Sequence, residues 1–160
     1  MTASQTLSRF LMKKSEMRSN KTPKPTGVAP RVKPFFLNVD LDIESASKLD
    51  SVAAEMGRRV FVLYSGPSRP RRYLLKSECA RFYRNPNAAI HGLCSIVESL
   101  TPASQRICQR ARKAFDVGYE LMPSETSSQF SLRPDTIRRV AALGATLTVT
   151  YYRGGPNDAP

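Results

Sequence analysis

Residues 35–44 read FFLNVDLDIE, and their alternation decides the fold class. Phe35, Leu37, Val39, Leu41 and Ile43 fall on one side of an extended chain, with Phe36, Asn38, Asp40, Asp42 and Glu44 on the other. A period of two this regular belongs to a strand with one face on a core and the other turned outward. The outward side is acidic, yet the whole chain carries a formal net charge of +12. Charge is therefore expected to be sorted in space.

Working outward from this strand, Ser45 is placed to cap a helix with the apolar stripe Leu49, Val52, Ala53 and Met56, stopped by Gly57. Arg59 to Ser65 holds the continuous apolar run VFVLY, short enough for a central strand. Gly66-Pro67-Ser68-Arg69-Pro70 reads as a turn leading back through Arg71 to Ser77, a hairpin. Asn85-Pro86-Asn87 opens a helix with Ile90, Leu93, Cys94, Val97 and Leu100 on one side. Thr101-Pro102 starts another, with Ile107, Cys108 and Ala111 inward. Phe115, Val117, Tyr119 and Leu121 alternate as a strand. Arg133-Pro134-Asp135 opens a last helix through Ile137, Val140 and Leu143, ending at Gly144, and Leu147, Val149 and Tyr151 form the final strand.

The order β-α-β-β-α-α-β-α-β implies an α+β two-layer sandwich, ferredoxin-like in spirit. Its sheet is mostly antiparallel, with four or five strands and helices packed on one face. The opposite face is expected to display Asn38, Asp40, Asp42, Glu44, Asp116, Glu120, Thr148, Thr150 and Tyr152. This body occupies 35–153, with 154–160 as a flexible tail. Residues 1–34 hold eight Lys or Arg against one acid, a formal +7 that leaves +5 for the remainder. Pro23, Pro25, Pro30 and Pro34 disfavour a regular helix there, so 1–34 reads as a disordered basic leader. Its Arg and Ser content also matches an organellar transit segment.

At 160 residues the chain has room for one domain and one core. Its pI of 10.1 favours acidic partners, namely nucleic acid, anionic lipid or an acidic protein surface. Cys79, Cys94 and Cys108 are an odd number without CxxC spacing, which argues against a disulfide framework or a zinc cluster. A reducing, cytoplasmic location follows, without a membrane span or cofactor.

Several residue sets carry candidate chemistry. Asp40, Asp42 and Glu44 recur along one strand face, within reach of Asp116 or Glu120 for a shared proton or divalent ion. A solvated acidic face explains them more simply, because no metal-binding loop pattern accompanies them. His91, the only histidine, lies one helical turn before Cys94. Since Cys94 is on an apolar stripe, a structural role is expected for both, and no catalytic residue is assigned. No GxSxG, HExxH, P-loop or GxGxxG pattern occurs.

The basic set is larger. Arg69, Arg71 and Arg72 crowd the hairpin above Arg58 and Arg59, while Arg106, Arg110 and Lys113 follow helical spacing. Arg138 and Arg139 join from the last helix. Converging, these groups would track a phosphate backbone, with Tyr73, Phe82 and Tyr83 stacking on unpaired bases.

The segment FDVGYE at 115–120, together with ALGATLTVTY at 142–151, resembles a class of small bacterial domains of unknown function. There a helix ending in Leu-Gly-Ala feeds a last strand in the same way. The resemblance implies an α+β fold and a bacterial source, and brings no catalytic residues. The expected function is a non-enzymatic binding domain for a macromolecular partner, a protein, using Asp40, Asp42, Glu44, Asp116 and Glu120. The first alternative is nucleic-acid binding through the basic leader and Arg58, Arg59, Arg69, Arg71, Arg72, Arg106, Arg110 and Lys113. The second is a small hydrolase or metal-dependent enzyme.

Overall fold

The computed structural model describes residues 35–121 and 130–153, so the leader at 1–34 and the tail at 154–160 lie outside the described residues. The elements follow the expected order: β1 (Phe35–Ser45), α1 (Asp50–Met56), a 3-10 turn (Gly57–Arg59), β2 (Val60–Arg69) and β3 (Arg72–Cys79). Then come α2 (Pro86–Glu98), α3 (Pro102–Arg110), β4 (Arg112–Leu121), α4 (Pro134–Ala142) and β5 (Ala145–Arg153). The five strands form one sheet in the order β2-β3-β1-β4-β5, with β4 and β5 parallel and every other pair antiparallel. This is the α+β two-layer arrangement, with four helices on one face of a mostly antiparallel sheet.

β1 holds the centre because its inward residues are its most apolar ones. Val39, Leu41 and Ile43 are buried, flanked by Leu75 from β3 and by Phe115 and Val117 from β4. Ile90, Leu93, Cys94 and Val97 of α2 close over them, as the stripe required. Each such side chain contributes roughly 1.5–3 kcal/mol through removal from water. Asn85 caps α2 by accepting from Ala88 N at 2.9 Å, and Thr101 caps α3 by accepting from Ser104 N at 3.4 Å.

The alternation of β1 breaks once. Between Phe36 and Val39 the strand bulges against β4, so Phe36 turns to the core while Phe35 and Leu37 are exposed on the other face. The extra residue of a bulge shifts the inside-outside register. Gly118 sits opposite it, where a Cβ would come within 2.8 Å of Asn38 Oδ1. Any larger residue there would push the Asn38 amide aside.

Four other expectations are corrected. Ser45 does not cap α1; it ends β1, buried, and its Oγ accepts from Ser47 N at 3.0 Å. The hairpin turn lies at Pro70-Arg71 rather than across Gly66–Pro70, and Arg71 carries the positive φ of 59° that a tight turn demands. With no glycine at that point, the sequence pattern drew the turn to Gly66-Pro67 instead. Ile137 is exposed, and Thr136 takes the inward place on α4.

The largest correction concerns β2, which is an edge strand and not a central one. Phe61, Val62, Leu63 and Tyr64 are 57%, 46%, 49% and 43% exposed. Cross-strand partners share a face, so Phe61 and Tyr64 lie on the open side with Glu78 and Lys76, while Val62 lies on the helix side with Ser77. The helix layer does not cover that flank.

Glu55 of α1 ties the helix layer together at the start of α3. Its carboxylate accepts from Thr101 N, Thr101 Oγ1 and Ser104 Oγ at 2.7–2.9 Å, where exposed N–H groups and the helix dipole favour negative charge. The Ser104 hydroxyl, then the Thr101 groups, hold this carboxyl below its ordinary 4.5. A depressed carboxyl contributes stability that is fully present above 4.5 and is lost as pH falls through the folded value. Glu55→Gln should therefore flatten the acid limb of a stability–pH profile measured by thermal melts.

The contrast between the two apolar strands gives a second expectation. Leu75→Ala, at a fully buried site, should cost about 2–5 kcal/mol in chemical denaturation. Leu63→Ser, on the exposed edge, should change stability by no more than about 0.5 kcal/mol.

Candidate functional site

The uncovered face of the sheet presents charged rows set by strand register. Glu78, Asp40 and Asp116 stand directly opposite one another across β3, β1 and β4, with Thr148 next on β5. One row along, Lys76 pairs in register with Asp42, and one row further Arg112 pairs with Glu44. Glu120 lies between Phe35 and Tyr152 at the far end. All five acids expected on this face are therefore on it.

Like charges on adjacent strands repel, and the local partners show how the repulsion is met. Asn38 Nδ2 donates to both Asp40 Oδ1 and Glu78 Oε2, at 3.0 and 2.9 Å. Thr150 Oγ1 donates to Asp116 Oδ1 at 2.7 Å. Lys76 Nζ lies 3.3 Å from Asp40 and 3.8 Å from Asp42. Desolvation would lower the Lys76 ammonium, but Asp42 and Asp40 raise it on balance. Asp42 Oδ1 itself is shielded and accepts no hydrogen bond. Desolvation lifts the carboxyls of Asp40 and Asp42 above their ordinary 3.8 despite Lys76.

The face is not purely acidic. Arg72 and Arg112 share it at the hairpin end, and Arg69 Nε lies 3.7 Å from Glu44 Oε1. There a hollow of about 400 Å³ is lined by Asp42, Glu44, Arg69 and Arg112. The charge sorting therefore runs along the face, carboxylates in the middle and guanidinium groups at one end.

The expected basic set converges only in part. Lys113 does not continue a helical face with Arg106 and Arg110: it belongs to β4 and is buried, its Nζ donating to Cys108 O at 2.6 Å and Ala111 O at 3.0 Å. There it neutralises the carbonyl end of α3, and desolvation lowers its pKa. Arg106 and Arg110 are exposed on α3. Arg59 donates to Met56 O, Glu55 O and Ser99 Oγ, joining α1 to the end of α2.

A different group of arginines does gather. A hollow of about 820 Å³ beside the start of β2 is lined by Arg58, Arg59, Arg81, Arg133 and Arg139, of which Arg133 pairs with Asp135 at 3.4 Å and Arg139 with Glu98. Arg81 lies over the Tyr83 ring at 5.5 Å. Arg133 carries no periodic signal in the sequence. It arrives here because Asn87 Oδ1 accepts from its backbone N–H, holding the loop before α4 against α2.

His91 also lines this hollow and is held on both ring nitrogens. Arg139 Nη1, a donor only, is 3.2 Å from Nδ1, so Nδ1 accepts and Nε2 carries the hydrogen. Nε2 then donates to Thr136 Oγ1 at 3.1 Å, and Thr136 donates to Asn87 Oδ1 at 2.8 Å. Arg139 completes the network with bonds to Ser95 Oγ and to both oxygens of Glu98. This polar seam fastens α4 to α2 and gives His91 a structural task. Cys94 is fully buried on the apolar stripe, and desolvation raises its thiol to about 11. Cys79, half-buried nearby, is raised to about 11 by the same cause. Thiols at that value are poor nucleophiles at neutral pH.

Among the described residues, no group of three or more His, Cys, Asp or Glu is arranged to hold a metal ion, and no helix is long and apolar enough to cross a membrane. Comparison with protein-family models, curated proteins and solved structures finds no match for the chain.

The lifted carboxyl of Asp42 generates a prediction with a definite sign. A raised carboxyl makes ionisation costly in the folded state, so the cost is present above the folded value and fades as pH falls toward 3.8. Asp42→Asn should raise the melting temperature at pH 7, and wild type should recover that difference on acidification.

Proposed function

We propose that this domain recognises a macromolecular partner, a protein, through the open sheet face. The observation that carries the reading is the register row Glu78, Asp40 and Asp116 on three adjacent strands, left uncovered by the helices and ending in the arginines beside Glu44. A sheet holds such charges at fixed spacing, so complementary charges on a partner meet a preorganised pattern with little ordering cost. Carboxylates at its centre disfavour a polyanion on this face.

A second reading has its own observation. The arginine-lined hollow, with Tyr83 in its wall and exposed Phe82 close in sequence, suits an anionic polymer such as single-stranded nucleic acid.

Immobilised wild-type protein should capture protein partners that salt elutes. A variant combining Asp40→Asn, Glu78→Gln and Asp116→Asn, checked for an intact melt, should lose them. An unchanged set of captured proteins removes the sheet face from consideration. Nucleic acid retained on a filter at low salt, and released by Arg58→Glu with Arg133→Glu, would favour the second reading instead.

A further inference from the structure

The outer edge of β2 is the most anomalous surface among the described residues. Four consecutive apolar side chains, Phe61 to Tyr64, are each more than two-fifths exposed. Nothing described pairs with the strand on that side. An edge strand presents a row of free N–H and C=O groups, and proteins ordinarily blunt such edges with charge, proline or short length. Pro67 and the register shift around Ser68 protect the hairpin half, whereas the shift around Leu63 is the one irregularity within Val60–Gly66, a segment that carries no charge at all. At about 3.3 Å per residue, that leaves an edge of roughly 23 Å.

The charges at its two ends indicate what fits it. Arg58 precedes the strand, with Arg81 in the hollow beside its start, while Arg69, Arg71 and Arg72 close the other end; Arg59, Arg133 and Arg139 are already engaged by Ser99, Asp135 and Glu98. β2 itself contains no acid. A second copy paired antiparallel would bring its Arg58 and Arg59 against Arg69 and Arg71 of the first, which like-charge repulsion opposes.

We propose that the β2 edge takes up an extended segment of another protein by strand addition, apolar at alternate positions in its middle and acidic at both ends. Main-chain hydrogen bonds to β2 supply the attachment, and the flanking arginines select the charge. This surface is distinct from the acidic rows of the open face.

The test uses the fluorescein-labelled peptide DEVTFTVTED and the full chain, followed by fluorescence anisotropy. The peptide should bind, and a counterpart with lysines at both ends should not. N-methylation of alternate peptide nitrogens is informative because alternate N–H groups point to opposite edges of a strand. One of the two alternating patterns should abolish binding and the other leave it intact. Arg58→Glu combined with Arg69→Glu should weaken binding about tenfold, as the loss of two exposed ion pairs implies. The Asp40, Glu78 and Asp116 amide variant should bind the peptide as wild type does, separating this surface from the open face.

The proposal is overturned if the peptide fails to bind, if both methylation patterns act alike, or if the open-face variant loses the peptide. It is also overturned if the free protein sediments as a dimer that Tyr64→Lys disperses, since a second copy would then occupy the edge.

Discussion

Burial of one side of β1 is the constraint from which the rest of the structure follows. Val39, Leu41 and Ile43 must leave water together, and they sit in a strand bonded on both flanks, so the helices have to gather on that side. The same geometry forces Asn38, Asp40, Asp42 and Glu44 outward, because successive residues of a strand point to opposite faces. The hydrophobic requirement thus creates the charged face as its complement. Lys76, Asn38 and Thr150 then hold carboxylates at distances they would not choose unaided.

The helix layer is joined by polar groups as much as by apolar ones. Glu55 holds the beginning of α3, Lys113 its end, and the Asn87–Thr136–His91–Arg139–Glu98 series binds α4 to α2. Several residues that resemble functional equipment in the sequence are used here. His91, Lys113 and Arg59 each satisfy buried or terminal hydrogen-bonding groups, which removes them from the stock available for chemistry on a ligand.

Much of the fold was legible because local signals agreed with one another. The caps at Asn85 and Thr101, the stripe of α2 and the alternation of β4 all describe what their own neighbours in sequence dictate. The errors share another cause. VFVLY at Val60–Tyr64 has the composition of a core strand, and periodicity cannot tell a strand buried on both flanks from an apolar strand left at the border. Lys113 followed the helical spacing of Arg106 and Arg110, but the helix had already ended at Arg110. Of the candidate site, the acidic rows were readable from alternation alone. The arginine hollow was not, since it unites residues from the 3-10 turn, the segment after β3, the loop before α4 and α4 itself.

The seclusion of Cys94 and Cys108 has a practical corollary. Both sulfurs sit under the helices, one beneath α2 and one on the inner side of α3, with their ionisation suppressed by the apolar surroundings. An alkylating reagent reaches them only when those helices lift from the sheet. With the half-buried Cys79 replaced by serine, their labelling rate in native buffer is a clock for local opening of the layer.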